Sequence, residues 1–161
     1  MAPILHGANM TLNWVNDIHE MHTKFGVREV IANLDKEKLL KFLEFRLNFL
    51  QEELDEAKFA LDQLSKLQVS QVDYPPAATD AADDVVDAMI DLCVVAIGTL
   101  DAFQVDAHTA WARVHEKNMQ KEPGIKPGRP NPLGLPDLIK PEGWTAPTHK
   151  DNIGLLARFG E

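Results

Sequence analysis

Asp84-Val-Val-Asp87-Ala-Met-Ile-Asp91-Leu-Cys-Val-Val-Ala-Ile97 is the stretch that decides the fold. Its apolar residues do not alternate as a half-buried strand would, and no glycine or proline interrupts them. Asp84, Asp87 and Asp91 stand at i, i+3 and i+7, so all three fall on one stripe of a helix. The rest of the segment is apolar nearly all round, which predicts the central, buried helix of an all-α, four-helix-bundle-like domain. Thr79 or Asp80 is read as its cap, and Tyr74, Pro75 and Pro76 through Thr79 as the loop that precedes it.

Upstream, Asp35 caps a predicted helix that runs to Val72 without a glycine or proline. Leu43, Leu47, Leu50, Leu54, Ala57, Leu61 and Leu64 alternate steps of four and three, a seam for packing against other helices. Before it, residues 13–25 predict a first helix, with Thr11 or Asn13 as cap and Gly26 as terminator. Downstream, Asp106 or Thr109 starts a fourth helix carrying Trp111, Val114 and Met119. After Lys121, recurrent proline and glycine exclude long helices. The chain thus divides into a helical domain, 1–122, and an extended C-terminal arm, 123–161. Leu133, Leu135, Leu138, Ile139 and Trp144 are expected to anchor the arm on the bundle or on a second subunit. No alternating strand pattern of useful length is found.

Composition narrows the function. A 161-residue chain with 45% hydrophobic and 25% charged residues suits one globular domain. No apolar run reaches membrane length and no secretory pattern opens the chain, so no membrane partner is expected. Cys93 is the single cysteine, which excludes an internal disulfide and suits a reduced, cytoplasmic setting. The formal net charge of -9 opposes binding of a nucleic-acid polymer.

The chemistry sits in carboxylates. Glu52, Glu53, Asp55 and Glu56 follow Phe42, Phe45 and Phe49 along the second long helix. At 100° per residue Glu53 lies within about 60° of Leu50 and Ala57, at the margin of the seam. Asp91 stands in the most apolar part of the chain, and 85–100 contains no Lys, Arg or His. A buried carboxylate needs neutralisation, a cationic partner or a metal. Two acidic stripes on neighbouring helices suggest an all-oxygen Mg²⁺ site, with Mn²⁺ an acceptable substitute. Neither stripe carries histidine, which argues against zinc and against a ferritin-like di-iron centre. His19-Glu-Met-His22 lacks zinc-protease spacing and reads as structural or substrate-adjacent.

Glu53-Leu-Asp-Glu56, preceded by Glu52, resembles the Glu-x-x-Glu motif of the MazG-like, all-α nucleoside triphosphate pyrophosphohydrolase superfamily, which includes phosphoribosyl-ATP pyrophosphohydrolases. Its second motif, Glu-x-x-Asp, is replaced here by Asp84-Val-Val-Asp87 or by Asp87 with Asp91. Glu20-Met-His-Thr-Lys-Phe-Gly26, Trp111-Ala-Arg-Val-His-Glu-Lys-Asn-Met-Gln-Lys121 and Ile139-Lys-Pro-Glu-Gly-Trp144 resemble the phage-type branch. The resemblance implies Mg²⁺-dependent attack of water on the α-phosphorus of a nucleoside triphosphate, giving the monophosphate and pyrophosphate. It also implies a homodimer or homotetramer with sites near subunit interfaces. On this reading Glu53, Glu56, Asp87 and Asp91 are metal ligands, with Asp84 the alternate. Glu52 joins Glu53 as a catalytic candidate by orienting or deprotonating the water. Lys121 meets phosphate oxygens and Asn118 phosphate or sugar; Asn13, Asp17 and His22 line a base pocket on the first helix, beside Trp14, which is read chiefly as a packing residue. The expected substrate is a purine deoxynucleoside triphosphate, dGTP or dATP, of phage-type nucleotide metabolism, in the host cytoplasm. The alternatives are a non-catalytic helical interaction module and a nucleotide sensor without turnover.

Overall fold

The computed structural model describes residues 13–70, 75–128, 133–134 and 137–160. Among the described residues five α-helices form the body: α1 (Trp14–Lys24), α2 (Val27–Ala32), α3 (Lys36–Ser70), α4 (Pro75–Ala102) and α5 (Ala107–Met119). A short hairpin follows, β1 (Glu122–Gly124) against β2 (Asp137–Ile139), antiparallel with Pro123 opposite Leu138. A 3₁₀ helix over Gly154–Gly160 comes last. The fold is all-α, as expected. No described helix is long and apolar enough to cross a membrane.

The helix starts follow cap chemistry. The Asn13 side chain accepts from Asn16 N–H at 3.2 Å and the Asp35 side chain from Lys38 N–H at 2.8 Å. Asp106 accepts from Thr109 N–H at 3.1 Å, so it, not Thr109, opens α5. Gly26, at φ 68°, turns the chain from α1 into the short α2, which the sequence reading left out. The left-handed φ there is open to glycine at little cost. The largest correction at this level concerns α4. It begins at Pro75, four residues before the expected Thr79. Proline suits the first helical turn because its missing N–H is one that has no partner there in any case.

The long antiparallel pair α3 and α4 forms the spine, and α1 lies along α4. Ala81, Ala88, Val95 and Ala102, seven residues apart, are the buried line of α4. Their small side chains let the two axes approach. On α3 the inward line is Leu39, Leu43, Arg46, Leu50, Glu53, Ala57, Ala60 and Leu64, all buried or half-buried. The expected seam therefore splits. Leu43, Leu50, Ala57 and Leu64 face α4, whereas Leu47 and Leu61 are 56% and 61% exposed, with Leu40 and Leu54 on the same outer line. A straight helix has room for one such line against one partner; the second is left on the surface. For the same reason α4 is not enclosed all round: Val86, Met89 and Ile90 are exposed.

The main apolar core closes one end of the spine. Ile31, Leu39, Ala102, Phe103 and Val105 are buried together, with Phe42 against Phe103 at 5.7 Å between ring centres. Leu155 and Leu156 of the 3₁₀ helix cover this cluster, and Leu155 N–H donates to Phe103 O at 2.7 Å. Arg158 donates to the carbonyls of Ala32 and Leu34 at the end of α2. Along the arm, Trp144 Nε1 donates to Lys117 O at 3.0 Å, and Arg113 grips Asp151 with two 2.7 Å bonds. These bonds hold the Asp151 carboxyl at about 2. Trp144 thus anchors the arm on the bundle. Leu133 and Leu138 are exposed, and Leu135 lies outside the described residues. The hairpin lies beyond the reach of the sequence pattern, since three-residue strands are too short to alternate over a useful length.

Candidate functional site

The register of the α3–α4 pair can be followed pair by pair. Phe42 meets Phe103, and Arg46 donates to Thr99 Oγ1 at 3.0 Å and to Val95 O at 2.8 Å. Two turns further along α3, Glu53 reaches the level of Asp91 and Asp87, whose charges it feels together with those of Glu56 and Glu52. Beyond that point Glu52, Asp55, Glu56 and Phe59 of α3 and Asp84 and Asp87 of α4 enclose an open cleft of about 540 Å³. The acidic stripes of the two helices thus line one space.

Glu53 is the innermost of these carboxylates, 6% exposed, while Glu52, Glu56, Asp84 and Asp87 face solvent and Asp91 is half-buried. Asp91 is therefore less enclosed than its apolar neighbours suggested, because the outer side of α4 is open. Burial pushes the Glu53 carboxyl up, and repulsion from Glu56, Asp91, Asp87 and Glu52 pushes it further. Among the described residues, no lysine, arginine or histidine forms a salt bridge with Glu52, Glu53, Glu56, Asp84, Asp87 or Asp91. The neighbouring Asp55 is held by Lys58 and Gln51, which keeps it below the usual carboxylate range. The oxygen-only donor set and its uncompensated charge fit a hard divalent cation. The side chains are not drawn tight around a point: no three described histidines, cysteines or carboxylates already enclose a metal-sized position.

A second, narrower groove of about 250 Å³ lies between α1 and α4. Trp14, Asp17 and Ile18 form one wall; Ile90, Cys93, Val94 and Ile97 form the other. Of the four first-helix residues placed in or beside a base pocket, Trp14 and Asp17 line this groove. Asn13 and His22 do not. Asn13 is spent capping α1, and His22 is buried with Nδ1 2.8 Å from Asp101 Oδ2. Asn118 and Lys121 lie at the end of α5, joined by a 2.8 Å bond from Lys121 Nζ to Asn118 Oδ1. Lys121 also stands 5.6 Å from the centre of the Trp144 ring, with Lys140 at 4.6 Å. Neither Asn118 nor Lys121 lines the acidic cleft within this chain.

Residues 28–118 match the phosphoribosyl-ATP pyrophosphohydrolase family, more than half of the chain. The chain belongs to that family. It is part of the MazG-like, all-α superfamily that the motifs resembled. The matched span carries both walls of the acidic cleft. It leaves out α1, so the Trp14 and Asp17 wall of the groove lies outside the part shared with the phosphoribosyl-ATP pyrophosphohydrolase family. No curated protein matches the chain.

Two features escaped the sequence reading. Asp101, 6% exposed at the end of α4, receives His19 at 2.9 Å, His22 at 2.8 Å and Arg28 at 2.7 Å. Burial pushes its carboxyl up, but the two imidazole bonds and the Arg28 charge outweigh that and leave it below the ordinary value. The three-residue spacing of His19 and His22 was the available signal, since it puts both rings on one side of α1. The second feature is Arg46, whose seam position is seven residues before Glu53. Burial lowers the pKa of its guanidinium. Gly98 makes room for both features: a Cβ there would stand 2.9 Å from Arg46 Nη2 and 3.3 Å from the His22 ring.

Proposed function

We propose that the chain is a divalent-metal-dependent nucleoside triphosphate pyrophosphohydrolase that splits the α–β phosphoanhydride to give the monophosphate and pyrophosphate. What supports this reading is an acidic cleft lined by Glu52, Glu56, Asp84 and Asp87, with Glu53 buried close enough to feel Glu56, Asp87 and Asp91, in a chain of the phosphoribosyl-ATP pyrophosphohydrolase family. Glu53, Glu56, Asp87 and Asp91 would hold Mg²⁺, with Asp84 on the cleft wall as the alternate ligand. Bound there, the ion would neutralise phosphate charge and acidify the attacking water. Glu52, exposed on the same wall, orients that water and takes its proton. Lys121 and Asn118 supply phosphate contacts from the end of α5. The groove beside α1 receives the base of a purine deoxynucleoside triphosphate.

The same reading makes the protein a homodimer, or a tetramer of dimers, in which a second copy covers the outer leucine line of α3. A strictly spaced exposed line of large apolar side chains is costly to leave in water. Assembly would also bring α5 of one copy toward the cleft of another.

A nucleotide panel tests the activity. Purified protein with Mg²⁺ should release monophosphate and pyrophosphate, and Glu53→Gln or Asp91→Asn should abolish release with helical content kept. Release of single inorganic phosphate, or no turnover of any nucleotide, would reject the activity. Binding without turnover would identify a sensor instead.

A further inference from the structure

We propose that the acidic stretch of α3 also takes dinucleoside polyphosphates, with one ring of the ligand on Phe59 and the other on Phe45; this rests on the pyrophosphohydrolase reading of the cleft given above. Phe45, Phe49, Glu52, Glu56 and Phe59 stand at i, i+4, i+7, i+11 and i+14 of one unbroken helix. At 100° per residue they fall within about 80° of one another. They form a single stripe that is aromatic, then acidic, then aromatic. Neither the line packed on α4 nor the outer leucine line includes them.

Packing within the chain does not account for the two end rings. Phe45 is 59% and Phe59 65% exposed. One exposed phenylalanine is ordinary; one at each end of a carboxylate stretch is a pattern. Among the described residues, Phe59 is the one apolar side chain on the cleft wall, beside Glu56 and Asp84. At the other end Phe45 leans on Phe49, with 6.3 Å between ring centres, and the Arg46 guanidinium stands 5.8 Å from the Phe49 ring. Between the two ends lies Glu53, buried, whose carboxylate takes part in no hydrogen bond or ion pair among the described residues. A metal site alone has no use for a ring at either end.

Phe45 and Phe59 are separated by about 21 Å of helix rise, Phe49 and Phe59 by about 15 Å. A nucleoside triphosphate carries one ring and can cover one end. Two nucleosides joined through a polyphosphate bridge carry a ring at each end and the charge between. Stacking tolerates any base, because every base has a π-face. With a tetraphosphate bridge, water forms a new bond to the α-phosphorus of one nucleoside. The bond from that phosphorus to the bridging oxygen breaks, and the oxygen leaves on the other nucleoside as its triphosphate. Glu52 takes the proton of the water, as in the reaction proposed above. The products are one monophosphate and one triphosphate, with no reactant beyond water.

Initial-rate turnover of diadenosine tetraphosphate, diguanosine tetraphosphate and dGTP with Mg²⁺ tests this. Both dinucleotides should give monophosphate and triphosphate in equal amounts. Stacking on one aromatic side chain is worth about 5- to 150-fold. Phe45→Ala and Phe59→Ala should each lower kcat/KM for the dinucleotides by a factor in that range. Phe45→Leu and Phe59→Leu, which keep apolar bulk without the ring, should do the same. Turnover of dGTP, with its single ring, should fall in at most one of the two positions. Turnover of dGTP without turnover of either dinucleotide would overturn the inference and leave the pyrophosphohydrolase reading standing. So would dinucleotide turnover that changes at either position leave intact, or an equal loss on dGTP at both. A fall in light-scattering mass in either variant would assign that ring to a contact between copies and overturn it too. Should no nucleotide be cut, the pyrophosphohydrolase reading fails, and calorimetric titration with diadenosine tetraphosphate and Mg²⁺ decides the ring question separately. Binding weakened at both positions supports the inference; binding unchanged at either, or none, overturns it.

Discussion

Replacing Glu53 by glutamine should make the metal-free protein more stable while destroying its response to Mg²⁺. The side chain keeps its shape, so the change is almost purely one of charge. In the folded protein the Glu53 carboxyl titrates above its ordinary value of 4.5, through burial and four carboxylate neighbours. A raised acid destabilises the fold once it ionises. The penalty is absent below the unfolded pKa and fully present above the folded one. Each like-charged neighbour costs roughly 0.2–0.5 kcal/mol, and solvent screens the exposed ones. Three neighbours beyond the adjacent Glu52 therefore amount to about 1 kcal/mol at low salt, or about 2–4 °C in Tm for a chain of this size. Thermal melts in EDTA should show Glu53→Gln above the wild type by that amount. Mg²⁺ at 100 times its Kd should raise the wild type by about 2.7 kcal/mol. The variant should gain much less. A variant that melts below the wild type in EDTA would refute the repulsion argument. An undiminished Mg²⁺ response would remove Glu53 from the metal site.

Four further outcomes follow from the same geometry. Asp101→Asn leaves Arg28 and two imidazoles without their carboxylate and should cost about 3 kcal/mol, read as a Tm drop in calorimetry. Because the Asp101 pKa is depressed, its contribution is present above the unfolded carboxyl range and is lost as pH falls through the folded value, so the variant should show a flatter acid-unfolding limb. Gly98→Ala should destabilise by about 1 kcal/mol in urea titration, crowding at Arg46 and His22 outweighing the helix preference of alanine. Gly154→Ala, at φ 51° with the Phe103 carbonyl in the way of a Cβ, should lower Tm by at least 5 °C and speed hydrogen exchange at Leu155. If the proposed assembly covers the outer leucine line of α3, light scattering should report the wild type as a dimer or tetramer and Leu47→Glu with Leu61→Glu as a monomer.

The starts of α1, α3 and α5 were legible because Asn13, Asp35 and Asp106 act locally, each on a backbone N–H three residues on. The carboxylate stripes were legible for a similar reason, since spacing along one helix fixes which residues share a side. What spacing leaves open is which of two apolar lines faces the partner. Leu43 and Leu47 look alike in sequence, and the line of small residues on α4 with the Arg46 and Glu53 positions decided between them. The pair His19 and His22 was read as structural or substrate-adjacent, with His22 also placed at a base pocket. Its actual role depends on Asp101, 79 residues away, and pairing over that distance leaves no periodic trace. The short α2 and the three-residue strands hold too few residues to express a period at all.

The lid that Leu155, Leu156 and Arg158 place over Phe103 has a consequence for synthesis. Those residues leave the ribosome about fifty positions after the surface they cover, an interval of roughly 3–10 s at usual elongation rates. Through that interval the nascent spine carries Ile31, Leu39 and Phe103 beneath an unfinished roof. Chaperone capture and aggregation have their opening there, at the end of the molecule opposite its chemistry.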